Sequence, residues 1–395
     1  MKRIGATLCA MCLAASASAQ APVAEALFDD GLAAAEVQLK GQSTPEAQFL
    51  LGGTRFLRAI ETAFQIRWRM GLTEAPGDFP LLRTGLPQNP SPDAFDPSFI
   101  EGLFAEAITH MEAARGPLEA LDETADFSVP VDLSRIWLDV NMNGARDAGE
   151  GLVSLSGNAF LIAPQSAEGA PAPIVDFDAS DAAWLRAYTH MISGFSQLVL
   201  AFHPTEVIAK VMEQEAALGA LNTGFTTQDA FGVDDTWVAI LTIYIKALEG
   251  QPDPARTQAA HGHLLEMVQA NKSFWAQVAA ETDEGREWIP NQTQTSALGI
   301  DLPPETASTW QDVLTDVEHL LNGALLIPHW RLSADAGINL ERLMMDPPQF
   351  DIMGWIHGGD ALHYIEKGPR ISGANWGAFQ RLMGGRGLMF AVMLN

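Results

Sequence analysis

Cysteine is almost absent from this sequence. Only two of the 395 residues are cysteines, Cys9 and Cys12, and both lie near the N-terminus. We expect both to be removed with the signal peptide described below, so that the mature chain contains none. This expectation excludes disulfide bonds and cysteine-ligated metals from the mature protein.

Basic residues are also scarce. Lys and Arg together number 23, against 49 Asp and Glu, and the formal net charge at pH 7 is −26. Binding to nucleic acid or to anionic lipid depends on Lys and Arg. We therefore expect no nucleic acid and no anionic membrane surface among the partners, whereas an acidic surface suits solubility and divalent cations.

Long apolar runs are missing after the first 19 residues, which have the pattern of a secretory signal peptide. Lys2 and Arg3 form the charged region, residues 4–15 form the apolar region, and residues 17–19 fit an A-x-A cleavage site. The apolar run is too short to span a membrane. We expect a mature chain from Gln20 that is periplasmic or secreted, without membrane insertion after signal cleavage.

The sequence also lacks the motifs of two large enzyme classes. It contains no G-x-S-x-G nucleophile elbow and no phosphate-binding glycine loop. Neither a serine hydrolase of that type nor a nucleotide-binding protein is therefore predicted.

One twelve-residue stretch, residues 139–150, has specific chemistry. A calcium loop of this length needs oxygen ligands at positions 1, 3, 5, 7 and 9, a bidentate carboxylate at position 12, and a glycine at position 6. Gly144 occupies position 6. The predicted ligands are Asp139, Asn141, Asn143, the carbonyl of Ala145, Asp147 and Glu150. The alternative interpretation is an Asn/Asp/Gly-rich turn that binds nothing.

This stretch resembles the loop of EF-hand and dockerin-type calcium proteins over these twelve residues. The resemblance implies calcium binding and no particular activity. Arg146 departs from the pattern, because those families usually carry a branched apolar residue at position 8, and the sequence has no second matching loop. We expect a solitary loop that serves as a structural clip, with a dissociation constant of about 10⁻⁵–10⁻³ M.

Apolar residues recur at three- and four-residue spacing along most of the chain, which predicts an all-α fold. We expect a large irregular helical bundle with an N-terminal helical hairpin and one inserted calcium-binding loop. Ser43 is the expected N-cap of the second helix, and the helix that ends at Leu248 is expected to be buried. The predicted helices span residues 23–39, 45–70, 98–121, 182–202, 205–221, 235–248, 256–281 and 305–322.

These elements suggest four parts of the chain. They are a signal peptide (1–19), an N-terminal hairpin region with a proline-rich loop (20–125), a calcium-loop segment (126–175) and a main helical bundle (176–395). The main bundle includes an irregular C-terminal part and is expected to have one continuous core.

Three aspartates at the start of the main bundle allow two interpretations. Asp176, Asp178 and Asp181 could supply a second cation site. Alternatively, Asp178 or Ser180 is the N-cap of the helix that follows. We favour the N-cap interpretation.

A second candidate site lies near the C-terminus, where His357, Asp360, His363 and Glu366 follow one another at three-residue steps. On one helix the last three could share a face and offer ligands for zinc or iron, or a general acid and base. This pattern supports a metal-dependent periplasmic hydrolase as the alternative function. Two glycines interrupt the pattern, so a packing turn that carries histidines is the competing interpretation.

The leading hypothesis from the sequence is an exported, calcium-stabilised binding or scaffold protein. Its expected partners are calcium and an unidentified protein or small molecule. No residue pattern indicates which molecule that is.

Overall fold

The protein is mainly helical, as the sequence predicted. The computed structural model describes residues 25, 28, 30–72, 84–122, 124–156, 174–221, 224, 235–283 and 285–395. Within these residues there are thirteen α-helices and one 3₁₀ helix. None of the helices in these ranges combines the length and the apolar character that crossing a bilayer requires. The predicted signal peptide and both cysteines lie outside the described residues.

The helices follow one another along most of the chain. The first half contains α1 (Gly31–Leu39), α2 (Pro45–Arg69), α3 (Phe99–Glu119), α4 (Leu152–Ser156), α5 (Ala179–Ala201) and α6 (Pro204–Leu221). The second half contains α7 (Asp235–Leu248), α8 (Pro254–Val278), α9 (Thr306–Leu321), α10 (Leu340–Met345), α11 (Ile352–His357), α12 (Ala374–Leu382) and α13 (Gly387–Leu394). The 3₁₀ helix, Asp360–Tyr364, lies between α11 and α12.

Within the described residues, three small two-stranded sheets accompany the helices, and the sequence did not predict them. The strands are β1 (Val129–Asp132), β2 (Ile174–Phe177), β3 (Arg286–Glu287), β4 (Thr295–Ser296), β5 (Ala336–Ile338) and β6 (Ile365–Lys367). β1–β2 and β5–β6 are antiparallel pairs, and β3–β4 is a parallel pair. Strands this short show too little periodicity to be recognised from a sequence.

Helix α2 runs beside the loop described below, and the residues at its N-terminus explain why it begins at Pro45. Pro45 occupies the first turn, and the Thr44 hydroxyl accepts a hydrogen bond from Ala47 N at 3.3 Å. Thr44 is therefore the N-cap, and the prediction of Ser43 was wrong. The residue before a proline is restricted to extended backbone, which is the conformation that an N-cap adopts.

Four long helices form the centre of the molecule. α5 packs along α8, while α3 packs against both α2 and α5. Their inward residues belong to one hydrophobic core that also includes α1, β1 and α9. Full burial of a side chain such as Leu118 or Phe274 contributes about 1.5–3 kcal/mol, because its apolar surface leaves water.

Helix α5 begins with a capping box. The Asp178 carboxylate accepts from Ser180 N at 2.8 Å and from Asp181 N at 3.4 Å, and the Asp181 carboxylate accepts from Asp178 N at 3.1 Å. The predicted N-cap role of Asp178 is confirmed. Asp176 forms an ion pair with Arg286 on β3 instead, so the three aspartates do not act as one group.

Helix α7 lies at the surface, and the prediction that it is buried was wrong. None of its residues is buried; Trp237 is 49% exposed and Tyr244 is 64% exposed. The helix packs against α6, where Leu218 is also exposed. An apolar composition suggests burial, but burial depends on which neighbours the fold supplies.

Candidate functional site

The ends of the loop formed by residues 139–150 are held together by backbone hydrogen bonds. Leu138 N donates to the carbonyl of Glu150 at 2.9 Å, and Leu152 N donates to the carbonyl of Ile136 at 2.8 Å. An isolated antiparallel bridge lies between these two bonds. The twelve residues therefore project as a closed loop from a fixed base.

Asp139 organises the first half of this loop. Its Oδ1 accepts from Asn143 N and its Oδ2 accepts from Gly144 N, each at 3.0 Å. Gly144 has a φ of +74°, which a glycine adopts without strain, as expected at position 6. Met142 has a φ of +60°, a conformation that a residue with a Cβ keeps only where its surroundings enforce it.

The two asparagines connect the backbone to the Asp147 carboxylate. Asn141 Oδ1 accepts from Asn143 N at 3.1 Å, and Asn143 Oδ1 accepts from Ala145 N at 2.8 Å. Both Nδ2 groups donate to Asp147 Oδ2, at 2.6 and 2.8 Å. Within the described part of the chain, no group donates to the carbonyl of Ala145, so that oxygen can still accept a cation.

Glu150, the last predicted ligand, is fully buried, and its carboxylate is turned into the loop. Its Oε1 accepts from Val140 N at 3.0 Å and from Asn141 N at 3.4 Å, while its Oε2 accepts from Asp147 N at 2.8 Å. A carboxylate offers about four acceptor positions in all. These three bonds thus leave part of its capacity for another partner.

Helix α2 holds the first predicted ligand from outside the loop. Glu61 Oε1 accepts from Asp139 N, and Gln65 Nε2 donates to the carbonyl of Asp139, each at 2.8 Å. The other Glu61 oxygen pairs with Arg58 on the same helix. Burial raises the pKa of Glu61, and the Arg58 charge and the Asp139 N–H oppose that rise. Both backbone groups of Asp139 are therefore fixed by α2.

Arg146, which departs from the family pattern, does not pair with the predicted ligands. Its Nη1 donates to the carbonyl of Arg135 at 3.4 Å, and its Nη2 donates to the carbonyl of Ser134 at 3.2 Å. Its charge is directed to the turn before the loop. The arginine thus fastens the loop to that turn.

The six predicted ligands lie in one loop, but their carboxylates are not gathered around one point. Oxygens of Asp139, Asp147 and Glu150 do not all lie within 4.8 Å of one another. Backbone and amide N–H groups lie between them and satisfy each carboxylate. A bound cation would therefore have to replace the amide hydrogens that Asn141 and Asn143 now donate to Asp147.

The C-terminal candidate residues are spread over three elements. His357 ends α11, Asp360 and His363 lie in the 3₁₀ helix, and Glu366 lies in β6. The expected helical face shared by Asp360, His363 and Glu366 does not form, because the 3₁₀ helix ends at Tyr364 and Glu366 lies in a strand. Gly358, with a left-handed φ of +91°, ends α11 and separates His357 from the other three residues. Arg342 Nη1 donates to Glu366 at 3.0 Å. These four residues form no group of metal ligands in the part of the chain that the structure describes.

Sequence reasoning missed an acidic group formed by Asp178, Glu281 and Glu287, in which Glu287 is buried and the other two are half-buried. Each of the three places an oxygen within 4.8 Å of the other two. Asp178 precedes α5, Glu281 follows α8, and Glu287 lies in β3. No local spacing could reveal this group, since Asp178 is far in sequence from the two glutamates.

Comparison with known proteins gives no further guide to this site. No family model, no curated protein and no solved structure matches the chain.

Proposed function

We propose that this is an exported calcium-binding protein in which the loop of residues 139–150 holds one calcium ion as a structural clip. The observation that carries the proposal is the Glu150 side chain, which is fully buried while both its oxygens face the loop. Burying a carboxylate is costly unless charge or hydrogen bonds compensate for it. At position 12 of such a loop the carboxylate is the bidentate calcium ligand.

The hydrogen-bonded geometry of the loop also supports this proposal. Asp139 and the two asparagines have oxygens aimed at backbone N–H groups, and Gly144 makes the sharp turn. The main adjustment is rotation of the two amides, so that their oxygens rather than their Nδ2 groups face Asp147.

The clip would join the loop segment to the N-terminal hairpin that we propose α1 and α2 form. Calcium fixes Asp139 from one side, and Glu61 and Gln65 of α2 fix its backbone from the other. The ion would thereby stabilise the inserted segment (126–175) against α2. The rest of the bundle would then present a binding or scaffold surface for a partner that we do not identify.

Calorimetry can test the calcium site directly. Metal-stripped protein titrated with calcium chloride should show a site with a dissociation constant of about 10⁻⁵–10⁻³ M, and calcium should raise the melting temperature. Glu150→Gln should abolish this site. Glu213→Gln on the exposed face of α6 removes the same charge and should bind like the wild type. Full calcium binding by Glu150→Gln at this site would contradict the proposal.

A further inference from the structure

The acidic group formed by Asp178, Glu281 and Glu287 combines burial with missing partners. The Glu287 side chain is only 4% exposed and makes no hydrogen bond within the described residues. Glu281 Oε1 is also buried without a partner, while its Oε2 accepts from Gln294 Nε2 at 3.1 Å. Within the described residues, Glu281 Oε1 and the Glu287 carboxylate therefore have no donor in hydrogen-bonding geometry, although the nearby Ser180 hydroxyl helps to lower the pKa of Glu281.

The third carboxylate has one oxygen left for the group. Asp178 Oδ1 accepts the cap bonds from the backbone and hydroxyl of Ser180. No donor among the described residues bonds to Asp178 Oδ2. Asp178 can therefore cap α5 with one oxygen and face Glu281 and Glu287 with the other.

Among the described residues, no basic side chain forms an ion pair with the acidic group. The Arg286 guanidinium, beside Glu287 in the chain, is bound to Asp176 by Nε at 2.8 Å and by Nη2 at 2.7 Å. No ion pair links Lys or Arg to Asp178, Glu281 or Glu287 within the described ranges. Asp181, 3% exposed, adds a fourth carboxylate close by.

The pKa shifts of these carboxylates indicate that ionising all of them together is unfavourable. Burial, and then the Glu281 and Asp178 charges, raise the pKa of Glu287 to about 8. Burial and neighbouring carboxylates also raise the pKa of Glu281 and that of Asp181. At neutral pH the group must therefore hold protons or a cation.

Gly285 leaves space for the Glu287 carboxylate. A Cβ at position 285 would lie 2.5 Å from Glu287 Oε1 and 3.3 Å from Asp283 Oδ2. Only a residue without a side chain allows Glu287 to keep this position. The backbone thus accommodates a carboxylate that has no hydrogen-bond partner within the described part of the chain.

We propose that Asp178, Glu281 and Glu287 bind a hard divalent cation, with calcium as the expected ion. All three ligands are carboxylate oxygens, which suit calcium, magnesium and manganese better than soft metals. The ligands come from three separate elements, and calcium accepts such irregular geometry more readily than magnesium, which requires a near-ideal octahedron. The ion would tie the start of α5 to the chain that follows α8.

This site is independent of the loop at residues 139–150, and the test keeps the two apart. Glu150→Gln removes the loop site and leaves the acidic group intact, so this variant should still bind one calcium by calorimetry. Adding the Glu287→Gln substitution to this variant should then weaken the remaining calcium binding about 100-fold or more. Even substitutions of residues that only hydrogen-bond to a metal ligand lower metal affinity about 10–100-fold. Titrations with magnesium and with zinc in place of calcium should give weaker binding.

Thermal melting of the Glu287→Gln variant provides the second measurement. Without metal it should melt at or above the wild-type temperature, because one of the repelling carboxylates is gone. With calcium it should gain less stability than the wild type. Glu213→Gln, the exposed control, should respond to calcium like the wild type. No calcium binding by Glu150→Gln, or equal binding after Glu287→Gln is added, would overturn the proposal.

Gly285→Ala serves as an independent variant in case Glu287→Gln does not fold. It keeps every carboxylate but displaces Glu287, so calcium binding in the Glu150→Gln background should weaken while the net charge stays the same. Unchanged binding would count against the proposed geometry.

Discussion

Glu150 and Glu287 are both buried glutamates, yet their surroundings differ. Glu150 is fully buried and receives three backbone N–H groups. Glu287 is 4% exposed, receives no hydrogen bond within the described residues and faces other carboxylates. A buried carboxylate without compensation tends to take up a proton or bind a cation. In the two proposals, Glu150 is therefore a ligand that hydrogen bonds hold in place, whereas Glu287 is a ligand whose charge only the bound ion would compensate.

Glu61 allows a residue-scale prediction about the loop. Glu61→Ala should weaken calcium binding by about tenfold, because residues that hydrogen-bond to a metal ligand typically contribute about 10–100-fold to metal affinity. The substitution removes the acceptor for Asp139 N. Calorimetry in the Glu287→Gln background, where the loop is the remaining proposed site, measures this change.

Glu61→Gln separates hydrogen bonding from charge at the same position. It keeps an acceptor for Asp139 N but loses the ion pair with Arg58. We expect a smaller loss of affinity than in Glu61→Ala. An alanine variant with unchanged affinity would show that α2 does not position the loop.

At the scale of elements, local chemistry decides where helices begin, and neighbours decide what they bury. α2 begins where Thr44 and Pro45 supply a cap and a first turn, and α5 begins at the Asp178 capping box. α7 is as apolar as a core helix, yet it lies at the surface because it packs mainly against α6. Helix bounds can therefore be inferred from a sequence more readily than helix burial.

The cap of α2 gives an element-scale prediction. Thr44→Ala should lower the free energy of unfolding by about 1 kcal/mol, because the N–H of Ala47 loses its acceptor. Ser43→Ala is the matched control and should change it by less than about 0.5 kcal/mol. Urea unfolding followed by circular dichroism measures both changes. A larger loss for Ser43→Ala than for Thr44→Ala would reassign the cap.

Across the whole molecule, burial shifts the pKa values of acidic and basic side chains in opposite directions. Burial, and then the neighbouring carboxylates, raise the pKa of Glu287 to about 8. Burial, and then the Arg115 charge, lower the pKa of His190 to about 3. Between α5 and α8, His190 Nδ1 lies 3.0 Å from His263 Nδ1. Each group makes folding stability depend on pH.

The expected pH dependence of the metal-free protein follows from these two shifts. The folded state holds the Glu287 proton more tightly than the unfolded state, so this contribution is lost as pH rises from about 4.5 to about 8. The unfolded state takes up a proton on His190 below about 6.5 while the folded state does not, so stability also falls below that pH. Between about pH 4.5 and pH 6.5 the two contributions offset each other, so the melting temperature should be nearly constant there and should fall above about pH 6.5.

Thermal melting in a chelator from pH 5 to pH 9 checks this profile. The fall above pH 6.5 should be smaller in Glu287→Gln, and calcium should reduce it in the wild type. A wild-type profile that keeps rising to pH 8 in the chelator would contradict the assigned direction for Glu287.

The mainly helical fold, the approximate bounds of the long helices and the spacing of the loop at residues 139–150 could be inferred from sequence alone. These features depend on periodicity, caps and turn residues that lie within a few positions of one another. Tertiary structure decided that α7 is exposed, that His357, Asp360, His363 and Glu366 lie in separate elements, and that Glu61 holds Asp139. It also brought Asp178 to Glu281 and Glu287. Such contacts join distant parts of the chain, and no short stretch of sequence encodes them.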